Sequence, residues 1–219
     1  MKLNTIYILE NNEPDRMGRK DPKSKSLVAF DMDDTLFHYK KKSEAKVHVL
    51  DKTGKRVQSL TNREYNNHKL EPGHKYDFSD FRSTHVFRKS AQPIHKMIRK
   101  LKAIHHNNKN VEIVTARSNM DKKNEFKKAM KGHGIDIDKV HFRRAGETGE
   151  ESPAKAKHKV IDGLIRKHGY TKVHLYDDSE KNLEHFKKLK EKHPNVEFHA
   201  HHVHHDAKTG KVTIKTTKV

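Results

Sequence analysis

A chain of 219 residues is long enough for one sizeable core and leaves room for a small insertion. Its composition, 32% hydrophobic and 35% charged, is polar, yet the apolar residues gather in short dense runs, which excludes a uniformly disordered chain. Lys and Arg number 48 against 29 Asp and Glu, a formal charge of +19 that attracts anions, and the absence of cysteine excludes disulfides, thiolate zinc sites and cysteine catalysis.

Residues 1–24 are expected to form an extension or linker, with a peripheral strand at "TIYIL" and a polar stretch containing Pro14, Gly18 and Pro22. They lack the apolar core and cleavage site of a secretory signal, and no run approaches the ~18 residues of a membrane span. A soluble, intracellular, cytoplasmic protein is the expectation.

Five β-branched apolar runs then read as strands: "LVAF" at 27, "VEIVTA" at 111, "KVHF" at 139, "KVHLY" at 172 and "VEFHAHHV" at 196. Helical spacing fills the gaps between the later ones. Ile94, Ile98, Leu101 and Ile104 precede the second strand; Phe126 and Met130 follow it; Val160, Ile161, Leu164 and Ile165 precede the fourth; Leu183, Phe186 and Leu189 precede the fifth. Alternation of this kind predicts an α/β fold, a Rossmann-like doubly wound parallel sheet over residues 25–205, with ligands beyond the carboxyl ends of its strands. The first crossover is too long for a βα connection. Residues 38–92 are therefore expected to be an inserted small cap, with a β-hairpin in "KVHVLDKTGKRVQSL" and aromatic residues in "EPGHKYDFSDFRS". Residues 206–219 complete the chain as a turn and a final β-hairpin strand.

Chemistry concentrates at the strand ends. The first strand runs into Asp31, Asp33 and Asp34, the second ends in "TARS" and the fourth in Asp177 and Asp178. Crowded carboxylates repel and resist burial, so they are stable mainly if a cation shares the site, and a hard divalent ion such as Mg2+ suits oxygen ligands. Asp34 has no catalytic role in this reading and is assigned to capping or solvation. Arg117, Arg143 and Arg144 fall near the same edge, where a guanidinium clamps phosphate well, although each alone is read more readily as a surface arginine. The run "HAHHVHH", His199 to His205, is read as strand rather than as a transition-metal site, because no carboxylate or cysteine pattern fixes a coordination geometry.

These residues resemble the haloacid dehalogenase superfamily of phosphohydrolases, of the small-cap type. "DMDDT" matches the Asp-x-Asp-x-Thr motif, Thr115 the lone Ser or Thr of the second motif, and "DDS" an acidic fourth motif. The third motif is a lysine, for which "SPAKAKHKVIDGLI" offers Lys155, Lys157 and Lys159. Lys157 shares the inward stripe of Val160, Ile161, Leu164 and Ile165 and is preferred. The resemblance implies that Asp31 is a nucleophile forming an aspartyl-phosphate and that Asp33 is the acid and base. It also implies that Asp31, the carbonyl of Asp33, Asp177 and Asp178 hold Mg2+, and that Thr115 and Lys157 bind the transferring phosphoryl group. Thr35, Ala116 and Arg117 complete the substrate-binding candidates. The expected substrate is a nucleic-acid 3′-phosphate end or a nucleotide, with a nucleoside monophosphate, a small metabolite, or plain nucleic-acid binding as alternatives.

Overall fold

The structure, a computed structural model, describes residues 25–40, 44–107, 110–150 and 152–219. The expected strand "TIYIL" lies outside the described residues. In chain order the strands are β1 (Ser26–Phe30), β2 (Phe37–Tyr39), β3 (Val47–Leu50), β4 (Arg56–Leu60), β5 (Lys75–Asp77), β6 (Ala91–Pro93), β7 (Asn110–Thr115), β8 (His141–Arg144), β9 (Lys172–Asp177), β10 (Glu197–His205) and β11 (Val212–Lys218). The helices are α1 (Asn62–Asn67), α2 (Ser79–Arg82), α3 (Thr84–Ser90), α4 (His95–His106), α5 (Lys123–Gly132), α6 (Pro153–His168), α7 (Glu180–Lys187) and α8 (Leu189–Lys192). Among the described residues, no helix is long and apolar enough to cross a membrane. Two compact units divide the chain: one runs up to His38 and takes Pro93–Ser118 and Met130–Val219, the other takes Tyr39–Gln92 and Asn119–Ala129.

In the first unit six strands form one sheet in the order β11-β10-β9-β1-β7-β8. β10, β9, β1, β7 and β8 pair in parallel and β11 runs antiparallel to β10, so the sheet is mixed rather than wholly parallel. From β1 the chain steps outward to β7 and β8, then returns to β9 on the other side of β1. Strand order therefore reverses at β1, and the crevice beyond the carboxyl ends of β1 and β9 is where such sheets bind ligands. Phe30 lies level with both Ile113 and Tyr176, which brings the ends of β1, β7 and β9 to one edge.

One face carries Leu27, Ala29, Val114, Val173, Leu175, Phe198 and Ala200, buried with Val160, Ile161, Leu164 and Ile165 of α6 and Leu183 and Phe186 of α7. Each Val, Leu, Ile or Phe among them contributes roughly 1.5–3 kcal/mol by leaving water. α6 begins with Pro153 in its first turn, where no N–H is needed, and stops at Gly169, whose φ of 63° suits a residue without Cβ. β8 lies two residues later than the apolar run at 139 suggests. The Lys139 and Val140 amides are spent in a turn, both donating to the Asp136 carbonyl at 3.0 Å.

The second unit holds a three-stranded antiparallel sheet, β4-β3-β5, so the expected hairpin has a third strand. Asp51 makes the β3–β4 turn, accepting from the Thr53 and Lys55 amides at 2.8 and 3.0 Å. Thr61 and Glu64 cap α1 reciprocally. Tyr65, Tyr76 and Phe81 pack against Val47, Val49 and Leu60 as a miniature core, whereas Phe78 is 40% exposed. Asn119–Ala129 belongs here too, through the Phe87–Phe126 ring contact and the bond from the Thr84 amide to Asp121.

Candidate functional site

β1 ends in a tightly hooked loop. The Asp31 amide donates to the Tyr176 carbonyl at 2.8 Å, which continues the β1–β9 ladder one step past the strand. Met32 is fully buried, and its carbonyl accepts from the Leu36 and Phe37 amides at 3.0 Å. The alternation that sends Met32 into the core turns Asp31 and Asp33 the other way. Asp34 sits at φ 57°, a left-handed conformation that aspartate tolerates better than most residues, and its amide donates to the Phe37 carbonyl.

Asp31, Asp177 and Lys157 form a buried triad. The Lys157 ammonium lies 2.8 Å from Asp31 Oδ1 and 2.7 Å from Asp177 Oδ2. Lys155 is exposed and Lys159 pairs with Glu150 at 2.9 Å, so of the three candidate lysines only Lys157 reaches these aspartates. Asp177 is held further by the Ser179 amide and by Asn182 Nδ2, both 2.9 Å from its Oδ1. Asp178 stands beside them: ligand oxygens of Asp31, Asp177 and Asp178 lie within 4.8 Å of one another. Thr35, fully buried, turns its hydroxyl toward Asp178 Oδ1 at 3.4 Å, and His202 Nε2 donates to the Asp178 carbonyl at 2.9 Å.

Asp33 faces a different partner. Arg117, 3% exposed, donates through Nε to Asp33 Oδ2 at 2.9 Å and through a terminal nitrogen to Oδ1 at 2.8 Å, a bidentate fork. The Arg117 amide also donates to Thr115 Oγ1 at 3.2 Å. The end of β7 is thereby tied to the loop after β1.

Burial, with repulsion from Asp177 and Asp33, pushes the Asp31 carboxyl up to about 8 despite the pull of Lys157. Burial and the charges of Asp177, Asp31 and Asp34 likewise raise Asp178 well above the carboxylate range. Burial alone would lower Lys157, but Asp177 and Asp31 outweigh it and hold the ammonium charged. With all three carboxyls ionised the one ammonium would leave two negative charges uncompensated, which is why, without a cation, Asp31 and Asp178 are driven toward the protonated form. A donor set of oxygens alone suits a hard ion such as Mg2+.

Other candidates have other partners. Arg143 is a buried residue and not a surface arginine: its Nε is 2.8 Å from Glu112 Oε2 and a terminal nitrogen 3.2 Å from Oε1. Its companion Arg144 has a buried Nε without a hydrogen-bond partner. His199 and His201 of β10 stack with His174 of β9. His201 lies parallel to Tyr176 at 4.0 Å, accepts or donates to His174 Nδ1 at 3.0 Å and bonds Thr216 at 2.8 Å. Among the described residues, the three aspartates are the group placed to hold a metal.

Two contributors escape motif reading. Asn182 stands five residues after Asp177 in "DDSEKN", a polar residue in the first turn of a helix whose side chain turns back onto the strand end. Gly146 packs on the loop after β7 so closely that a Cβ would sit 2.4 Å from the Ala116 carbonyl oxygen. No protein-family model, curated protein or solved structure matches this chain.

Proposed function

We propose that the protein is a magnesium-dependent phosphomonoesterase of the haloacid dehalogenase type, acting through an aspartyl-phosphate on nucleic-acid ends or nucleotides. The observation that carries this is Lys157 bridging Asp31 and Asp177, with Asp178 in the same cluster and Asp33 two residues along the loop. Asp31 Oδ1 is occupied by Lys157, and among the described residues its other oxygen accepts no hydrogen bond, which leaves it to attack phosphorus. Asp33 protonates the departing oxygen and then takes the proton of the water that hydrolyses the acyl-phosphate. Arg117 fixes its direction through the fork. Lys157 and Thr115 neutralise and orient phosphoryl oxygens as charge spreads over them. Bound among Asp31, Asp177, Asp178 and the Asp33 carbonyl, Mg2+ would offset the repulsion between carboxylate and phosphate. Most of the second unit, Tyr39–Gln92, lies in the crossover between β1 and β7, the place in the chain where a small cap would be inserted, and we read that part as the cap.

Because Asp33 is used twice, Asp33→Asn should slow both formation and hydrolysis of the phospho-enzyme by about 100-fold or more each in rapid-quench experiments. Unchanged rates for both steps would remove Asp33 from the mechanism.

A further inference from the structure

We propose that Arg144 binds a second phosphate of the substrate, the phosphodiester next to the phosphomonoester that Asp31 attacks, so that the substrate is a nucleic-acid end rather than a lone mononucleotide. This rests on the phosphomonoesterase reading and deepens it. Three arginines stand at this edge of the sheet, and two are matched: Arg117 forks onto Asp33, and Arg143 onto Glu112. Arg144 is not matched in this way. Its Nε is buried without a hydrogen-bond partner, and burial lowers its pKa while Glu147 opposes the shift. A guanidinium N–H buried without an acceptor is costly, and the group's planar fork is shaped for phosphate oxygens.

Placement picks out which phosphate. Arg144 is the register partner of Thr115, at the carboxyl ends of neighbouring strands. Alternation along β8 turns it to the face opposite Arg143. β8 lies two strands from β1, about 10 Å, so the group on Asp31 belongs to Thr115 and Lys157 and the next phosphate falls toward Arg144. The backbone two residues on is closely packed, Gly146 lying against Ala116, Arg117 and Ser118 with no room for a methyl group.

The test compares wild type, Arg144→Ala and Arg144→Lys on a terminally phosphorylated dinucleotide, a nucleoside 3′,5′-bisphosphate and an aryl phosphate. The proposal expects Arg144→Ala to lose about 10- to 100-fold in kcat/KM on the dinucleotide, mostly through KM, with partial recovery in Arg144→Lys and the aryl phosphate within about twofold. A similar loss on the bisphosphate would mean that any second phosphate serves; no loss there would assign Arg144 to the diester. Equal loss on the aryl phosphate, or no loss on the dinucleotide, overturns it. Wild type inactive on every substrate would instead sink the phosphomonoesterase reading. Calorimetry then decides on Arg144 alone: a short terminally phosphorylated oligonucleotide should bind Arg144→Ala about 10-fold more weakly, and equal affinity would overturn the proposal.

Discussion

Lys157 solves a local electrostatic problem, which gives it a measurable structural role apart from chemistry. Deep in the protein it touches Asp31 and Asp177, and deleting its charge leaves two carboxylates without their cation. Lys157→Met should therefore destabilise the protein by about 3 kcal/mol in urea unfolding with chelator present. A loss below about 0.5 kcal/mol would show that the ammonium is not holding the cluster together. The position of Lys157 was legible in the sequence because a four-residue apolar stripe fixed which side of α6 faces inward. Asn182 was not legible: it depends on a side chain turning back across a helix start, which no periodicity records. Arg117 was placed at the correct edge, but its engagement with Asp33 depends on a contact between residues 84 positions apart.

At the scale of elements, β9 and β10 carry a consequence of stacking imidazoles. His201 is buried beside Tyr176, with His174 and His199 on its own face of the sheet and Lys100 close by. Burial, then repulsion from His174, His199 and Lys100, lowers its pKa from 6.5 to about 3. The sign follows: the unfolded chain takes up this proton below about 6.5 and the folded one only near 3, so stability is complete above 6.5 and falls through the interval below it. His201→Gln should show a smaller drop in Tm between pH 7 and pH 4.5 than wild type. An identical drop would assign the acid sensitivity elsewhere. The strands themselves were readable from β-branched runs, with β8 misplaced by two residues because a turn consumed the start of its apolar run. The insertion was readable as a hairpin but not as a unit with a third strand, since β5 is three residues long and joins β3 through pairing remote from the turn.

For the whole molecule the governing quantity is the charge of +19. If the substrate is a nucleic-acid end, Lys and Arg contacts release counterions, and log Kobs should fall with log salt at a slope of about −0.7 for each phosphate neutralised on a single strand. Fluorescence anisotropy with a labelled oligonucleotide across 50–300 mM salt measures it, and a flat response would detach the charge from nucleic acid. Charge is the feature most plainly written in the sequence. The convergence of the strand ends is less so, because parallel order and register are set by packing across the whole sheet and motifs only mark where the carboxylates fall.

In the proposed mechanism Asp31, neutralised by Lys157 and a divalent cation, attacks phosphorus. Phosphate release should be measured for wild type and Asp31→Asn, with Mg2+ or with chelator, on a terminally phosphorylated oligonucleotide, a free nucleotide and an aryl phosphate. The account predicts release that needs Mg2+ and falls by about 1,000-fold or more in Asp31→Asn, whose fold and oligonucleotide affinity persist. Release that survives the substitution, or that ignores chelator, would contradict it.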